Sequence, residues 1–239
     1  TGYSECATCL AGFYCENVGS DGATDCGAGF YCPPMTWFIE RNMRYTRIPC
    51  PIGTYSAGTN NEEEIDCTPC DAGFACEYEG MDAASTVPCA AGYWCLLGAT
   101  NRYPESTVAN KFGPCPPGYW CEAETSDFTT NPCPAGEFSP QWRAETADYC
   151  IVCPPGYACA DTALTEPTPA CPSGSFCADG TTVAACATAG TYCPIGSFVE
   201  LFCPFGMKPH ISQQYCVDCS AGFFCMWGVE TLCPDGYFC

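Results

Sequence analysis

The chain has 239 residues, of which 27 are Cys, and its 27 acidic against 7 basic residues leave a net charge of −20. Cysteine at about 11% exceeds the ~8–10% at which a disulfide scaffold is the leading reading. It excludes a reducing cytosol, where thiols at this density stay unpaired. The charge excludes nucleic acid, whose phosphates would be repelled over most of the surface, and no apolar run reaches the ~18–20 residues of a membrane helix.

The chain opens on Thr1-Gly2-Tyr3 with no visible signal peptide, and reads as a mature or truncated segment of a secreted protein. One phrase then recurs: Cys-x2-Gly-x2-Cys. It runs from Cys9 to Cys15, Cys26 to Cys32, Cys70 to Cys76, Cys89 to Cys95 and Cys115 to Cys121, then from Cys153 to Cys159, Cys171 to Cys177, Cys219 to Cys225 and Cys233 to Cys239. A tenth copy, Cys186 to Cys193, is one residue longer. Modules this small do not hold together by burial alone and need covalent staples. The Gly is expected in a tight turn with positive φ. The aromatic just before the closing Cys (Phe13, Phe30, Phe74, Tyr93, Tyr119, Tyr157, Phe176, Tyr192, Phe223, Tyr237) is expected to pack on a disulfide and on the next module. An aromatic ligand-binding face is the alternative.

A longer period lies above the phrase. Cys-x2-Cys-x5-Cys begins at Cys6, Cys67, Cys150 and Cys216, and a Cys-Pro-x-Gly appears at Cys50, Cys133 and Cys203. Such repetition implies a stack in which each unit contacts mainly its neighbours. The predicted architecture is a set of small disulfide-rich repeats: an elongated rod of tandem cysteine-rich modules with short β-ribbons and little regular secondary structure. The frame divides it into repeat 1 (1–49), repeat 2 (50–132), repeat 3 (133–202) and repeat 4 (203–239), with an additional Cys pair in each of the middle two.

Three segments break the pattern. Thr36–Ile48 carries Trp37, Phe38, Arg41, Arg44, Tyr45 and Arg47, a basic aromatic stretch in an acidic chain. Glu62-Glu63-Glu64-Ile65-Asp66 is its acidic counterpart. A contact between the two in neighbouring copies would be heterologous and generate filaments; solvated loops, or pairing within one chain, are the alternative. The third segment, Ala99–Phe112, holds Arg102, Tyr103 and Lys111, and reads as a side contact or a longer loop.

With these motifs in view, Cys50-Pro-Ile-Gly-Thr-Tyr-Ser followed by Cys67-Thr-Pro-Cys70-Asp-Ala-Gly-Phe-Ala-Cys76 resembles the ephrin-receptor-like cysteine-rich repeat of extracellular and protist or algal surface proteins. It is also similar to the TNF-receptor cysteine-rich module. Cys133-Pro-Ala-Gly-Glu-Phe-Ser matches the same pattern, whereas Cys203-Pro-Phe-Gly-Met-Lys-Pro lacks the aromatic and the Ser. The resemblance covers nearly the whole chain and specifies a module rather than a function. It implies the pairs Cys50–Cys67, Cys133–Cys150 and Cys203–Cys216. It also implies a staggered set: Cys9–Cys26 with Cys15–Cys32, Cys70–Cys89 with Cys76–Cys95, Cys153–Cys171 with Cys159–Cys177, and Cys219–Cys233 with Cys225–Cys239. Cys115–Cys121 and Cys186–Cys193 would close on themselves. Local closure of every Cys-x5-Cys is the rival, because spacing alone does not select among so many pairings. Cys6 is left over, either because the chain is a window on a longer repeat protein or because Cys6 bonds another copy.

No active site is read. His210 is the only His and stands in a loop, no phosphate-binding Gly loop is present, and paired Cys-x2-Cys zinc knuckles are missing. No cofactor is expected; weak Ca2+ binding is open, though no EF-hand loop occurs. There is no Asn-x-Ser/Thr sequon, and O-linked sugar has candidates at Thr129, Thr130, Thr165, Thr168, Thr181 and Thr182. The sequence points to a non-enzymatic extracellular or cell-surface protein: a structural repeat protein of a disulfide-held fibre, coat or flagellar-hair-like filament. It would associate with itself or with other extracellular proteins. A receptor ectodomain or adhesin is the alternative.

Overall fold

The computed structural model describes residues 10–14, 24–34, 47–84, 87–105 and 112–237. Among them there is no α-helix; regular structure is confined to two-stranded antiparallel ribbons and short 3-10 turns. The ribbons are β1 (Phe13–Tyr14) with β2 (Thr24–Asp25), β3 (Phe30–Tyr31) with β4 (Ile48–Pro49), β5 (Thr54–Tyr55) with β6 (Thr68–Pro69), and β7 (Tyr93–Cys95) with β8 (Phe112–Pro114). Then follow β9 (Glu137–Phe138) with β10 (Ile151–Val152), β11 (Ser175–Phe176) with β12 (Ala184–Ala185), β13 (Thr191–Tyr192) with β14 (Leu201–Phe202), β15 (Met207–Pro209) with β16 (Cys216–Asp218), and β17 (Phe223–Met226) with β18 (Val229–Leu232). The chain divides into two compact units. Unit 1 is Thr1–Cys115, Cys121–Thr130 and Trp142–Thr146; unit 2 is Pro116–Trp120, Asn131–Gln141 and Ala147–Cys239.

The recurring phrase is a β-turn. The aromatic or its equivalent donates its N–H to the carbonyl three residues back, as in Phe74 to Asp71 (3.1 Å) and Tyr93 to Ala90 (3.1 Å). The Gly is the third residue, at φ of +87° in Gly73 and +81° in Gly92. That value belongs to a type II turn and strains any residue with a Cβ. The turn releases the chain into the first strand of a ribbon. Pro is frequent opposite it, as in Phe30↔Pro49 and Tyr93↔Pro114, which two-stranded ribbons tolerate because both strands are edges.

A backbone ladder links successive turns within each unit. The N–H of the next opening Cys reaches the Gly carbonyl: Cys26 to Gly12, Cys50 to Gly29, Cys70 to Gly53, Cys89 to Gly73 and Cys115 to Gly92 in unit 1, all at 2.8–3.0 Å. In unit 2 the same bond joins Cys133 to Gly118, Cys153 to Gly136, Cys171 to Gly156, Cys186 to Gly174, Cys203 to Gly190, Cys219 to Gly206 and Cys233 to Gly222. The Gly N–H in turn donates to a closing Cys carbonyl of the following turn, as in Gly73 to Cys95 (2.7 Å) and Gly156 to Cys177 (3.0 Å). Ser56 and Ser139 take that place opposite Gly29 and Gly118.

The ladder imposes a second demand on the Gly. A Cβ on Gly29 would lie 2.1 Å from the Gly80 carbonyl oxygen, on Gly118 2.3 Å from that of Ala163, and on Gly190 2.1 Å from that of Trp227. Gly80, Ala163 and Trp227, which supply these carbonyls, also have positive φ, as do Glu124 and Arg143, whose carbonyls rest in the same way on Gly73 and Gly92.

The core of each unit is sulfur. Most described cysteines are buried, and they make up nearly all of the largest fully buried side chains. Tyr55 and Phe74 pack on Cys70 and Cys76, and Tyr93 packs among Cys89, Cys95, Ala75 and Ala99. Tyr237 differs from the expected pattern, being 75% exposed.

The disulfides correct the staggered pairing. Cys50–Cys67, Cys133–Cys150 and Cys203–Cys216 are bonded. Each described Cys-x5-Cys, however, closes on itself: Cys26–Cys32, Cys70–Cys76, Cys89–Cys95, Cys115–Cys121, Cys153–Cys159, Cys171–Cys177 and Cys219–Cys225, and likewise Cys186–Cys193. Cys9–Cys26, Cys15–Cys32, Cys70–Cys89, Cys76–Cys95, Cys153–Cys171, Cys159–Cys177, Cys219–Cys233 and Cys225–Cys239 are thereby displaced. The turn is the physical reason. It folds the six-residue segment back so that the Cα atoms of Cys70 and Cys76 stand 5.7 Å apart, inside the range a disulfide spans. Cys233 is also disulfide-bonded, while Cys6, Cys9, Cys15 and Cys239 lie outside the described residues. Each bond stabilises by ~2–4 kcal/mol, mainly by restricting the unfolded chain.

Candidate functional site

The acidic segment is a self-contained turn. Glu64–Asp66 form one 3-10 turn capped by Glu63. The Asp66 carboxylate accepts the N–H groups of Glu62 (2.8 Å) and Glu63 (3.0 Å). Those two donors, Glu63 first, hold Asp66 below the usual carboxylate range. Asp66 is thus engaged by its own backbone, while Glu62, Glu63 and Glu64 stay exposed.

Of the basic aromatic segment, Arg47 is described. Its guanidinium lies 4.0 Å over the Phe30 ring and 5.8 Å from that of Tyr14, and Nη1 donates to the Cys26 carbonyl at 3.5 Å. Arg47 therefore staples the β3–β4 ribbon by a cation–π contact. Trp37, Phe38, Arg41, Arg44 and Tyr45 lie outside the described residues.

The third segment builds a polar and aromatic cluster in unit 1. The Arg102 N–H donates to Glu77 at 2.8 Å, and Tyr103 meets Tyr93 edge-on at 5.7 Å. The Tyr93 hydroxyl donates to Glu105 (3.3 Å), Glu105 pairs with Arg143, and the Arg143 guanidinium sits 5.3 Å from the Tyr93 ring. Burial pushes the Tyr93 hydroxyl pKa up. Its Arg143–Glu105 pair is largely exposed and so contributes little, about 0–1 kcal/mol. Sequence reasoning missed Arg143 and Glu105, which are 38 residues apart; Lys111 lies outside the described residues.

Unit 2 carries an aromatic cluster that sequence reasoning also missed. The turn joining β17 to β18 consists of Trp227 (φ +53°) and Gly228 (φ +73°). Two positive φ values are what a tight hairpin requires, and Asn-Gly is the favoured pair. Here the first place holds a Trp, whose ring lies 5.0 Å from Phe205 and 6.2 Å from Phe202. All three residues remain more than half exposed, at 53% for Phe202, 65% for Phe205 and 57% for Trp227. From β15, Lys208 Nζ reaches this hairpin and bonds both Glu230 carboxylate oxygens (2.9 and 2.8 Å), and it also bonds Ser220 Oγ (2.6 Å). With the Ser220 N–H, the ammonium brings Glu230 down to about 2.

The other chemistry-bearing groups are engaged locally. His210 Nδ1 lies 2.8 Å from Ser212 Oγ, and its ring stacks on Tyr215 at 4.6 Å, closing the loop between β15 and β16. The sulfurs of Cys219 and Cys225 lie within 4.8 Å of a Glu230 oxygen, but they are bonded to each other. Asp179 accepts the N–H groups of Thr181 (2.9 Å) and Thr182 (2.8 Å), which lower its pKa to about 2. The Asp127 carboxylate accepts from the Thr129 hydroxyl, and the Asp127 carbonyl accepts from the Thr130 hydroxyl. Thr129, Thr130, Thr165 and Thr168 are exposed. No helix of the described residues is long and apolar enough to cross a membrane.

No protein-family model matches the chain, and no curated protein matches it either. The architecture is that of a cysteine-rich repeat protein stapled by disulfides, which fits an oxidising, extracellular setting.

Proposed function

We propose that this chain is a non-enzymatic structural repeat protein of the cell exterior, a building unit of a surface fibre, coat or flagellar-hair-like filament that associates head to tail. The backbone ladder carries the reading. Turn after turn presents the same donor and acceptor to its neighbour, and the side chains needed for this are Cys and Gly, which recognise no ligand. That is the economy of a repeat scaffold, in which neighbour contacts supply the stability. The ephrin-receptor-like resemblance and the acidic, sequon-free composition agree with it. O-linked sugar on Thr129, Thr130, Thr165 or Thr168 would lie on its solvent side.

Negative-stain electron microscopy of native material, with and without reductant, tests it. Regular filaments are expected, and their loss in a Cys6→Ser variant kept oxidised would assign an intermolecular bond to Cys6. Discrete particles in both conditions would replace the reading by a receptor ectodomain or adhesin, which the exposed Phe202, Phe205 and Trp227 rings favour. Changing Arg41→Ser with Arg44→Ser tests the basic segment as a contact and leaves Arg47 in place, because Arg47 supports the ribbon beneath it; assembly that persists unchanged removes that segment from the interface.

A further inference from the structure

We infer that the exposed aromatic cluster of unit 2, Phe202, Phe205 and Trp227, is the docking surface for the basic aromatic segment 36–48 of a second copy of this chain. The inference rests on the self-association proposed above and replaces the acidic turn by this cluster as the segment's mate.

Three observations carry it. Trp227 occupies the positive-φ place that Glu124, Arg143 and Ala163 fill in other turns, so the backbone does not call for a Trp there. A Trp at such a place, more than half exposed as a residue, marks a contact the fold alone does not require. The cluster is also apolar and contiguous: Phe202 and Phe205 flank the ring, and Met226 and Val229 beside it on the hairpin are exposed. An exposed apolar patch with a polar surround is the usual form of a protein docking site.

Charge identifies the occupant. Unit 2 has nine acidic residues against one cation, Lys208, and Lys208 is held by Glu230. Its partner should therefore be apolar and basic. Six of the seven basic residues belong to unit 1, and two of them, Arg41 and Arg44, lie among Trp37, Phe38, Ile39, Met43 and Tyr45, while Arg47 next to them is held on Phe30. Aromatics with Arg are the residue types that dominate interface cores. The acidic turn is the weaker mate for an aromatic segment, since Ile65 is its one apolar side chain and Asp66 is engaged by its own backbone. A contact from unit 1 of one copy to unit 2 of the next uses two different surfaces and propagates without closing unless a ring forms.

A fluorescently labelled peptide of residues 36–48, titrated with the oxidised chain and followed by anisotropy, tests the contact. Sedimentation velocity over a concentration series tests the assembly. Trp227→Asn removes the ring while suiting the turn, so its melting temperature should not fall; Phe205→Ser is the second variant. Each is expected to weaken peptide binding about tenfold or more and to reduce association. A peptide carrying Arg41→Ser and Arg44→Ser should bind more weakly, most clearly at low salt. Equal peptide binding to the wild type and both variants, or none to any, overturns the inference. A chain that associates equally with and without Trp227 overturns it too, yet leaves self-association standing. A monomeric chain that binds the peptide only when Trp227 is present keeps the docking surface and removes the filament reading.

Discussion

Gly118→Ala and Gly206→Ala are chemically the same substitution at the same place in two turns of unit 2. Both glycines have positive φ, +85° and +83°, and both accept the next opening Cys N–H, from Cys133 at 2.8 Å and Cys219 at 3.0 Å. The left-handed backbone costs Ala ~1–2 kcal/mol in each case, and the reduced freedom of the unfolded chain is common to both. They differ in what a Cβ meets. At Gly206 nothing lies within 4 Å, whereas at Gly118 the Ala163 carbonyl oxygen is 2.3 Å away and its carbon 2.8 Å. Ala163 cannot step aside freely, because its N–H is bonded to the Cys133 carbonyl and the neighbouring Leu164 carbonyl to the Ser139 N–H, both at 2.9 Å. Overpacking of this kind adds about 1–3 kcal/mol. Guanidinium denaturation with the disulfides intact, followed by Trp fluorescence, should show both variants destabilised and Gly118→Ala the worse by that margin. Equal midpoints would refute the idea that the repeating Gly is fixed by the approaching carbonyl as well as by its φ.

Other outcomes follow from the same contacts. Glu230 has a depressed folded-state pKa, so its contribution to stability is present above the ordinary value of 4.5 and is lost as pH falls toward about 2. A carbon-13 NMR titration should place its midpoint near 2, and Lys208→Met should raise it; a wild-type midpoint above 4 would discard the Lys208 contact. Under limiting phosphine reductant and alkylation, Cys133–Cys150, Cys203–Cys216 and Cys219–Cys225 should be labelled first, because each has one partly exposed Cys while the other described pairs are buried at both ends. First labelling of Cys70–Cys76 would contradict this order. Non-reducing peptide mapping after cleavage between Cys76 and Cys89 should release the two phrases unlinked; a Cys70–Cys89 crosslink would restore the staggered frame. Glu105→Gln should cost less than about 1 kcal/mol in thermal unfolding, since its pair with Arg143 is solvent-exposed.

Much of the architecture was legible in the residues. Cysteine density indicated an oxidising compartment, the Cys-x2-Gly-x2-Cys period the tandem modules, and the invariant Gly its positive φ, because these are local properties of six or seven consecutive residues. The pairing of Cys70 with Cys76 rather than with Cys89 was not fixed by spacing, since both closures are short; the β-turn that brings the nearer pair to 5.7 Å decided it. The second positive-φ position was hidden for another reason. It is filled by Gly80, Glu124, Arg143 or Trp227 alike, so it has no residue signature and is defined only by a carbonyl resting on a glycine of an earlier turn. The cluster of Phe202, Phe205 and Trp227 was equally invisible. A ring 25 residues along the chain becomes a neighbour only when β13–β14 and β17–β18 are stacked by the ladder. Sequence determines what repeats by local backbone geometry; tertiary structure decides what the repeats bring together.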